Sequence, residues 1–362
     1  MSYEESNPLK KLSFIDNGAN AKLYFMAEST LVNRLRERIL HEGPLSFAAF
    51  MEMALYDPEV GYYRKPRPRV GREGGTDFTT SSALPRTFLH LLGESFTRLL
   101  PESTEAYRIT EIGAEDGGLP WEQLTIPYAG IDRIAVGETL AVAGPQILFA
   151  NELLDAQPFH RLIFQSGTWR ESRVGLSREG FLEEVYGPLP REDLAHWLAH
   201  LPPEAPEGYR LDVPTGAERL LAEIARQPWY GLLVLIDYGK TRPVLCQETP
   251  TGTLRAYRQH QQEKDLLADP GEIDLTGHIC WDCLEEILRA QHCQVYPLER
   301  QESFFVRYAA PMIQNLMENP GRYGVDPRRR ELQTLLHPGH FGGAFQVLAA
   351  TRGKGTTSSA QS

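Results

Sequence analysis

Long apolar runs are missing from this chain. None approaches the roughly 18 residues of a membrane-crossing helix, so no membrane span is expected. Cysteine is scarce: four in 362 residues do not make a disulfide framework, and a reducing cytoplasm is the expected compartment. Positive charge is also short. Lys and Arg number 37 against 48 Asp and Glu, a net charge of −11. That balance is not the mark of a general nucleic-acid binder; it suits a basic peptide or protein substrate, and many ordinary cytosolic enzymes are equally acidic. The first 25 residues carry early acids. They lack the apolar core of a signal peptide and the Arg-rich, acid-poor character of a transit peptide. The chain does have 41% hydrophobic content, enough for one large domain with insertions or for two domains.

The chain is organised around residues 147–160, ILFANELLDAQPFH. Residues 147–150 read as a buried strand. Asn151, Glu152 and Asp155 follow, and Pro158 stops any helix from running far. Two carboxylates and one amide thus stand just past a strand's C-terminal end, where ligands bind in open α/β sheets. Glu152 and Asp155 share a face if the segment is helical. Adjacent carboxylates then call for a cation, a metal or a shared proton. The same residues also fit a plain helix start, with Asn151 as N-cap and the acids favoured by the dipole.

From the N-terminus, residues 1–29 read as a flexible tail. A helix over 31–41 ends at Gly43-Pro44, and Ser46 caps a second over 47–55. The hydroxyl-rich run from Asp77 through Phe78, Thr79, Thr80, Ser81 and Ser82 precedes a helix over 87–100. It reads as a loop that lays hydroxyls and N–H groups against a ligand. In YRITEIGAEDGG (107–118), a strand over 108–112 runs into a turn with Glu111, Gly113 and Gly117. A strand over 128–132 ends in Asp132, an acid of the kind that takes ribose hydroxyls. Little room remains for a helix on either side of that strand. Residues 161–186 alternate as hairpins turning at Ser166-Gly167 and at 178–180. A short helix over 193–201 and a Thr215-capped helix to Arg226 follow. A strand over 232–237 ends in Asp237-Tyr238-Gly239. Residues 240–280 show little periodicity but many polar groups, among them Arg255, His260, Asp274 and His278. A helix over 281–290, strands over 294–299 and 303–308, helices over 311–317 and 329–336, and a strand over 342–350 complete the body. Residues 351–362 read as a disordered tail.

Several of these stretches, in order, resemble one family. They are residues 46–63, Asp77-Phe78-Thr79-Thr80-Ser81, Glu111-x-Gly113, the run from Ala150 to Pro158, Asp237-Tyr238-Gly239, Gly252-Thr253-Leu254-Arg255, residues 269–278 and Phe345-Gln346-Val347-Leu348. Together they are similar to the MidA-like S-adenosylmethionine-dependent methyltransferases. The resemblance implies an α/β fold: a Rossmann-like class I core with a central, mostly parallel seven-stranded sheet, an N-terminal helical segment and family-specific insertions. It implies one domain over 30–350, in four parts: 30–104, a shortened 105–160, inserted hairpins over 161–214, and 215–350 with a substrate-side insertion at 240–280. It also implies S-adenosyl-L-methionine as cofactor and an arginine of a protein as acceptor. By carry-over, Glu111, Gly113 and Gly117 would line the methionine end and Asp132 would hold the ribose. The loop of Asp77, Phe78, Thr79 and Thr80 would close over the site. Asn151, Glu152 and Asp155 would face the acceptor. Guanidinium offers paired planar donors that two carboxylates hold bidentately. His278 or Asp237 would accept a proton.

Three departures fall on the cofactor side. Glu115 stands where the family carries a second glycine, residues 119–146 are shorter than usual, and Ser82-Ala83 replaces Pro-Glu. They leave two expectations: a methyltransferase with an altered cofactor site, or a catalytically impaired relative acting as a protein-binding or assembly factor. His278-x-Cys280-x-x-Cys283 falls short of the four ligands of a structural zinc site, so no metal is expected. The basic run 64–72 reads as a solvated loop, and Trp169, Trp197 and Trp229 as core.

Overall fold

The computed structural model describes residues 30–65, 81–115, 117–259, 261–318, 327–339 and 341–355. Leu31, Leu35 and Ile39 recur at helical spacing and bury one face of α1 (Thr30–Glu42). The two-residue β1 (Leu45–Ser46) leads into α2 (Phe47–Tyr56), which the Ser46 hydroxyl caps by accepting from the Ala49 N–H at 3.1 Å. Next come α3 (Pro85–Leu99), β2 (Arg108–Ile112), β3 (Gly130–Ile134) and β4 (Gly144–Asn151). The expected hairpins are β5 (His160–Gln165), β6 (Thr168–Leu176) and β7 (Leu182–Gly187). After them stand α4 (Ala195–Leu198), β8 (Arg210–Val213), α5 (Thr215–Arg226) and β9 (Trp229–Asp237). Residues 239–280 hold β10 (Gly239–Lys240), α6 (Arg242–Gln247), β11 (Arg255–Arg258), β12 (Gln261–Glu263), β13 (Asp274–Thr276) and β14 (Ile279–Cys280). The chain closes with α7 (Trp281–Ala290), β15 (Gln294–Val295), β16 (Glu299–Arg300), α8 (Gln301–Tyr308), α9 (Ala310–Glu318), α10 (Pro327–Leu336), α11 (Phe341–Ala344) and β17 (Gln346–Arg352).

The central sheet has seven strands in the order β15-β17-β9-β4-β2-β3, with β16 also on β17. Strands β3, β2, β4 and β9 run parallel, and β17 returns antiparallel to β9. Both faces are covered, which explains the unbroken apolar runs of β4 and β9. Ile147, Phe149, Leu232 and Val234 pack with Phe88, Phe96, Phe304 and Phe305 on one side. Leu148, Ala150, Leu233 and Leu235 pack with Leu221, Ile224, Leu284 and Leu288 on the other. The hairpins form a second, antiparallel sheet, β1-β6-β5-β8 with β7 on β6. Trp169, Trp197 and Trp229 are buried, as expected.

Several expectations are corrected. Residues 303–308 are helical within α8, because Gln301, Phe304 and Phe305 bury together at helical spacing. Thr215 is the first helical residue of α5 rather than its cap, which is Pro214. The final strand begins at Gln346, after the short α11, and extends to Arg352. The Arg352 guanidinium donates to the carbonyls of Ala225, Gln227 and Trp229 and fixes that end of the strand. The strand expected at 294–299 splits into β15 and β16. The remaining tail from residue 356 and the first 29 residues lie outside the described residues.

Candidate active site

Strand β3 lies on one side of β2, and β4 lies on the other. The chain therefore switches direction across β2, and a crevice opens beyond the C-terminal ends of β2 and β4. Gly113, just past β2, has φ +80°, and a Cβ there would stand 2.6 Å from Leu153 Cδ1. Its N–H and that of Ala114 both donate to the Ile134 carbonyl, at 2.8 and 3.2 Å. Glu111 folds the turn back on itself. Its carboxylate accepts from the Leu119 N–H at 2.9 Å and from Trp121 Nε1–H at 2.8 Å. Burial pushes its pKa up against those hydrogen bonds. The short link to β3 contains a single 3₁₀ turn among the described residues, at Trp121–Gln123, and no α-helix. Trp121 supplies the packing that a crossover helix would give, lying against Phe96 and Phe149.

Two cavities flank Gly113. One, of about 390 Å³, has a largely apolar wall of Ile112, Ile134, Leu140 and Leu153 beside Tyr56. The other, of about 340 Å³, is lined by Glu111, Glu115, Gly118, Asn151 and Glu152. Glu115 and Ala83, both departures from the family pattern, sit on the wall of this second cavity and leave it open.

At the end of β4 the backbone turns instead of entering a helix. Glu152 adopts φ +52°, a left-handed conformation that a non-glycine residue holds only when its surroundings impose it. Its N–H donates to the Ile236 carbonyl at 2.8 Å, and Asn151 Nδ2 donates to Glu152 Oε1 at 2.9 Å. Asp237, at the end of β9, accepts from the N–H groups of Leu154 and Asp155 at 2.9 and 3.3 Å and from that of Tyr238 at 2.8 Å. Its carboxylate thus pins the 152–155 turn. The Tyr238 hydroxyl lies close enough to Asp155 to favour its ionised form, while Asp155 Oδ1 has no hydrogen-bond partner among the described residues. The Gly277 N–H donates to the Asp155 carbonyl at 2.9 Å and brings β13 alongside. Asp274 on that strand accepts from the Tyr63 hydroxyl at 2.8 Å, and Tyr63 stacks on Tyr56 with ring centres 5.5 Å apart.

This is a buried cluster of acids whose negative charges oppose one another. Burial pushes Asp155 up to about 6, with the Tyr238 hydrogen bond pulling the other way. Burial and then the Asp155 charge raise Asp237 and Asp274 well above the carboxylate range. Glu152 opens onto the cavity but moves the same way, for the same two reasons. No Lys or Arg among the described residues forms an ion pair with any of these four.

Of the residues expected at the site, Glu111, Gly113, Asn151, Glu152, Asp155 and Asp237 come together around the crevice. Gly117 keeps a positive φ of 94° in the same turn. His278 stands behind Tyr238, ring centres 5.5 Å apart. Burial, Lys240 and Arg255 lower it to about 4, so it is neutral near pH 7 and a weak proton acceptor. Asp132 is a correction. The strand runs two residues past it, and its carboxylate forms a bidentate pair with Arg108 at 2.6 Å, away from both cavities. Asp77, Phe78, Thr79 and Thr80 lie outside the described residues. No cluster of metal ligands occurs among the described residues. Sequence reasoning missed Tyr56, Tyr63, Tyr238 and Asp274 as site residues. Asp274 carried a weak signal, an acid between Ile273 and Leu275 in a strand-like alternation.

A parallel sheet switching direction at a glycine turn, with an acid-lined crevice beyond it, has the form of a methyltransferase that uses S-adenosylmethionine. Comparison with known proteins narrows this. A family model for S-adenosyl-L-methionine-dependent methyltransferases matches residues 128–298. A Drosophila melanogaster protein named protein arginine methyltransferase NDUFAF7 homolog, mitochondrial, is 24% identical over 88% of this chain and 84% of its own length. The Danio rerio protein arginine methyltransferase NDUFAF7, mitochondrial, is 23% identical over 76% of this chain and 75% of its own. A COG1565 superfamily member from Burkholderia thailandensis, solved with S-adenosyl-homocysteine bound, shares the fold at a TM-score of 0.76 and 23% identity. It covers 94% of this chain and 95% of its own. Together these likenesses support an S-adenosylmethionine-dependent methyltransferase similar to the MidA-like family. The expected cytoplasmic location is overturned, since these curated relatives are named mitochondrial proteins. Early acids and few cysteines do not decide a compartment.

The residues present fit the family's cofactor. Gly113 lines both cavities, and its lack of a Cβ lets Leu153 pack close against the turn. The apolar cavity suits an adenosine, and the acidic one suits a sulfonium and an ammonium.

Proposed function

We propose that this methyltransferase acts on an arginine of a protein substrate. The acid cluster carries the reading: Glu152, Asp155 and their neighbours are buried acids whose ionised forms call for a positive charge, and no cation among the described residues pairs with them. A guanidinium supplies that charge and fills both carboxylates with paired donors. The names of the curated relatives agree with this acceptor. In this reading Glu111, Gly113 and Gly117 hold the methionine end of the cofactor, which supplies an electrophilic methyl group. Asn151 orients Glu152, Asp237 fixes the turn, and Tyr238 and Tyr63 position Asp155 and Asp274. Transfer forms a bond from the methyl carbon to a guanidinium nitrogen while the carbon–sulfur bond breaks, and the nitrogen gives up a proton. Glu152 is the better recipient, because its surroundings favour its protonated form. His278 and Asp237 were the expected bases, but one binds protons weakly and the other is occupied by three N–H groups.

Incubation with S-adenosylmethionine carrying a labelled methyl group, using arginine-rich proteins as acceptors, tests this after acid hydrolysis. Label on methylarginine is expected. Label on lysine, or on base-labile ester, would overturn the acceptor assignment.

A further inference from the structure

Cys280 and Cys283 form a CxxC pair at the start of α7, away from the cofactor crevice. Cys280 is the N-cap residue and Cys283 lies in the first turn. The two sulfurs are 2.9 Å apart, with Cys283 donating. Arg242, at the start of α6, donates from Nη2 to Cys283 Sγ at 3.2 Å and to Glu286 at 2.6 Å. Two thiols in contact, a helix N-terminus and a guanidinium together make the setting in which a dithiol exchanges with disulfides. Cys283 is buried but lines an open cavity of about 790 Å³ shared with His196, Glu218, Arg219 and Glu286, the side from which a small disulfide would approach, and Cys280 is buried behind it. The hydrogen bond to Cys280 and then burial hold the Cys283 thiol above its ordinary range, with Arg242 opposing. The Cys283 thiol is protonated at rest.

We propose that Cys280 and Cys283 are a redox-active dithiol that closes reversibly to an intramolecular disulfide. The oxidant is a low-molecular-weight disulfide such as oxidised glutathione. One cysteine sulfur attacks it, releasing one glutathione thiol and leaving a mixed disulfide. The second cysteine sulfur displaces the other glutathione. Two protein thiols lose two electrons and two protons, and one disulfide becomes two thiols. The pair is joined to the site through the chain: Cys280 pairs with Lys240 on β10, which follows Asp237 and Tyr238, and Cys280 comes two residues after His278.

The test equilibrates the folded full-length chain in glutathione buffers of graded redox ratio, quenches in acid, unfolds, alkylates with N-ethylmaleimide and maps peptides by mass. Cys280 and Cys283 should escape alkylation together, regain it with dithiothreitol, and leave Cys246 and Cys293 alkylated throughout. Trp281 fluorescence should change over the same redox range, and C246S should behave as the parent. In C283S, Cys280 should form at most a mixed disulfide. Full alkylation of both cysteines at every ratio, or pairing of Cys280 with Cys246, would overturn the proposal.

Discussion

Glu152 and Asp155 set the behaviour of the site at the scale of single residues. Each is costly where it stands, and a cationic ligand turns that cost into affinity. Replacing Glu152 by Gln keeps the shape and removes the charge. Hydrogen bonds to charged groups contribute about 1.5–3 kcal/mol, so E152Q should raise KM for an arginine acceptor by roughly 10- to 100-fold. Binding of S-adenosyl-homocysteine by calorimetry should change far less. Ligand affinity should weaken as pH falls through about 6, because Asp155 is then protonated. Stability moves the opposite way. The unfolded chain ionises Asp near pH 4, whereas folded Asp155 holds its proton to about 6. Between those values the folded state binds more protons, so unfolding free energy falls as pH rises. Thermal melts of the free protein should therefore favour pH 5 over pH 7, and D155N should remove roughly 1 kcal/mol of that dependence. A melt that is flat in the parent would count against the buried charge.

The glycine turn and the 152–155 turn carry the site at the scale of elements. G113A should lower cofactor affinity about tenfold, because a left-handed residue with a Cβ costs about 1–2 kcal/mol and here presses on Leu153 as well. Trimming Leu153 to Ala in the same chain should recover only the contact part, which calorimetry with S-adenosyl-homocysteine can resolve. Asp237 acts through the second turn. D237A leaves the N–H groups of Leu154, Asp155 and Tyr238 without their acceptor and should cost about 2–4 kcal/mol of stability. Denaturant melts would show that loss, and an unchanged midpoint would remove the pinning role.

For the molecule as a whole, the cofactor side has kept its glycine turn and both cavities despite the missing crossover helix. Saturating S-adenosyl-homocysteine at about 100 times its Kd should stabilise the fold by about 2.7 kcal/mol, a rise of several degrees in Tm. The wall position of Glu115 makes E115G the informative partner. It should raise S-adenosyl-homocysteine affinity, by removing a carboxylate near the cofactor's own. Absence of any shift in a folded sample, in both chains, would favour a non-catalytic binding protein.

The sequence by itself determined the strands of the core. Residues 147–150 and 232–236 are apolar throughout, and only a position covered on both faces tolerates that. It also marked Glu111, Gly113, Glu152 and Asp155, since glycine turns and paired acids at strand ends are local signals. The helix over 301–308 was not legible, because a short run of aromatic and β-branched residues fits either period until its neighbours are known. Asp132 looked like a ribose ligand until the register set it beside Arg108. The cluster of Asp155, Asp237 and Asp274 with Tyr63 and Tyr238 belongs to tertiary structure alone. Its members come from separate stretches of the chain, and only the packing of β13 against the 152–155 turn removes them from water and couples their charges.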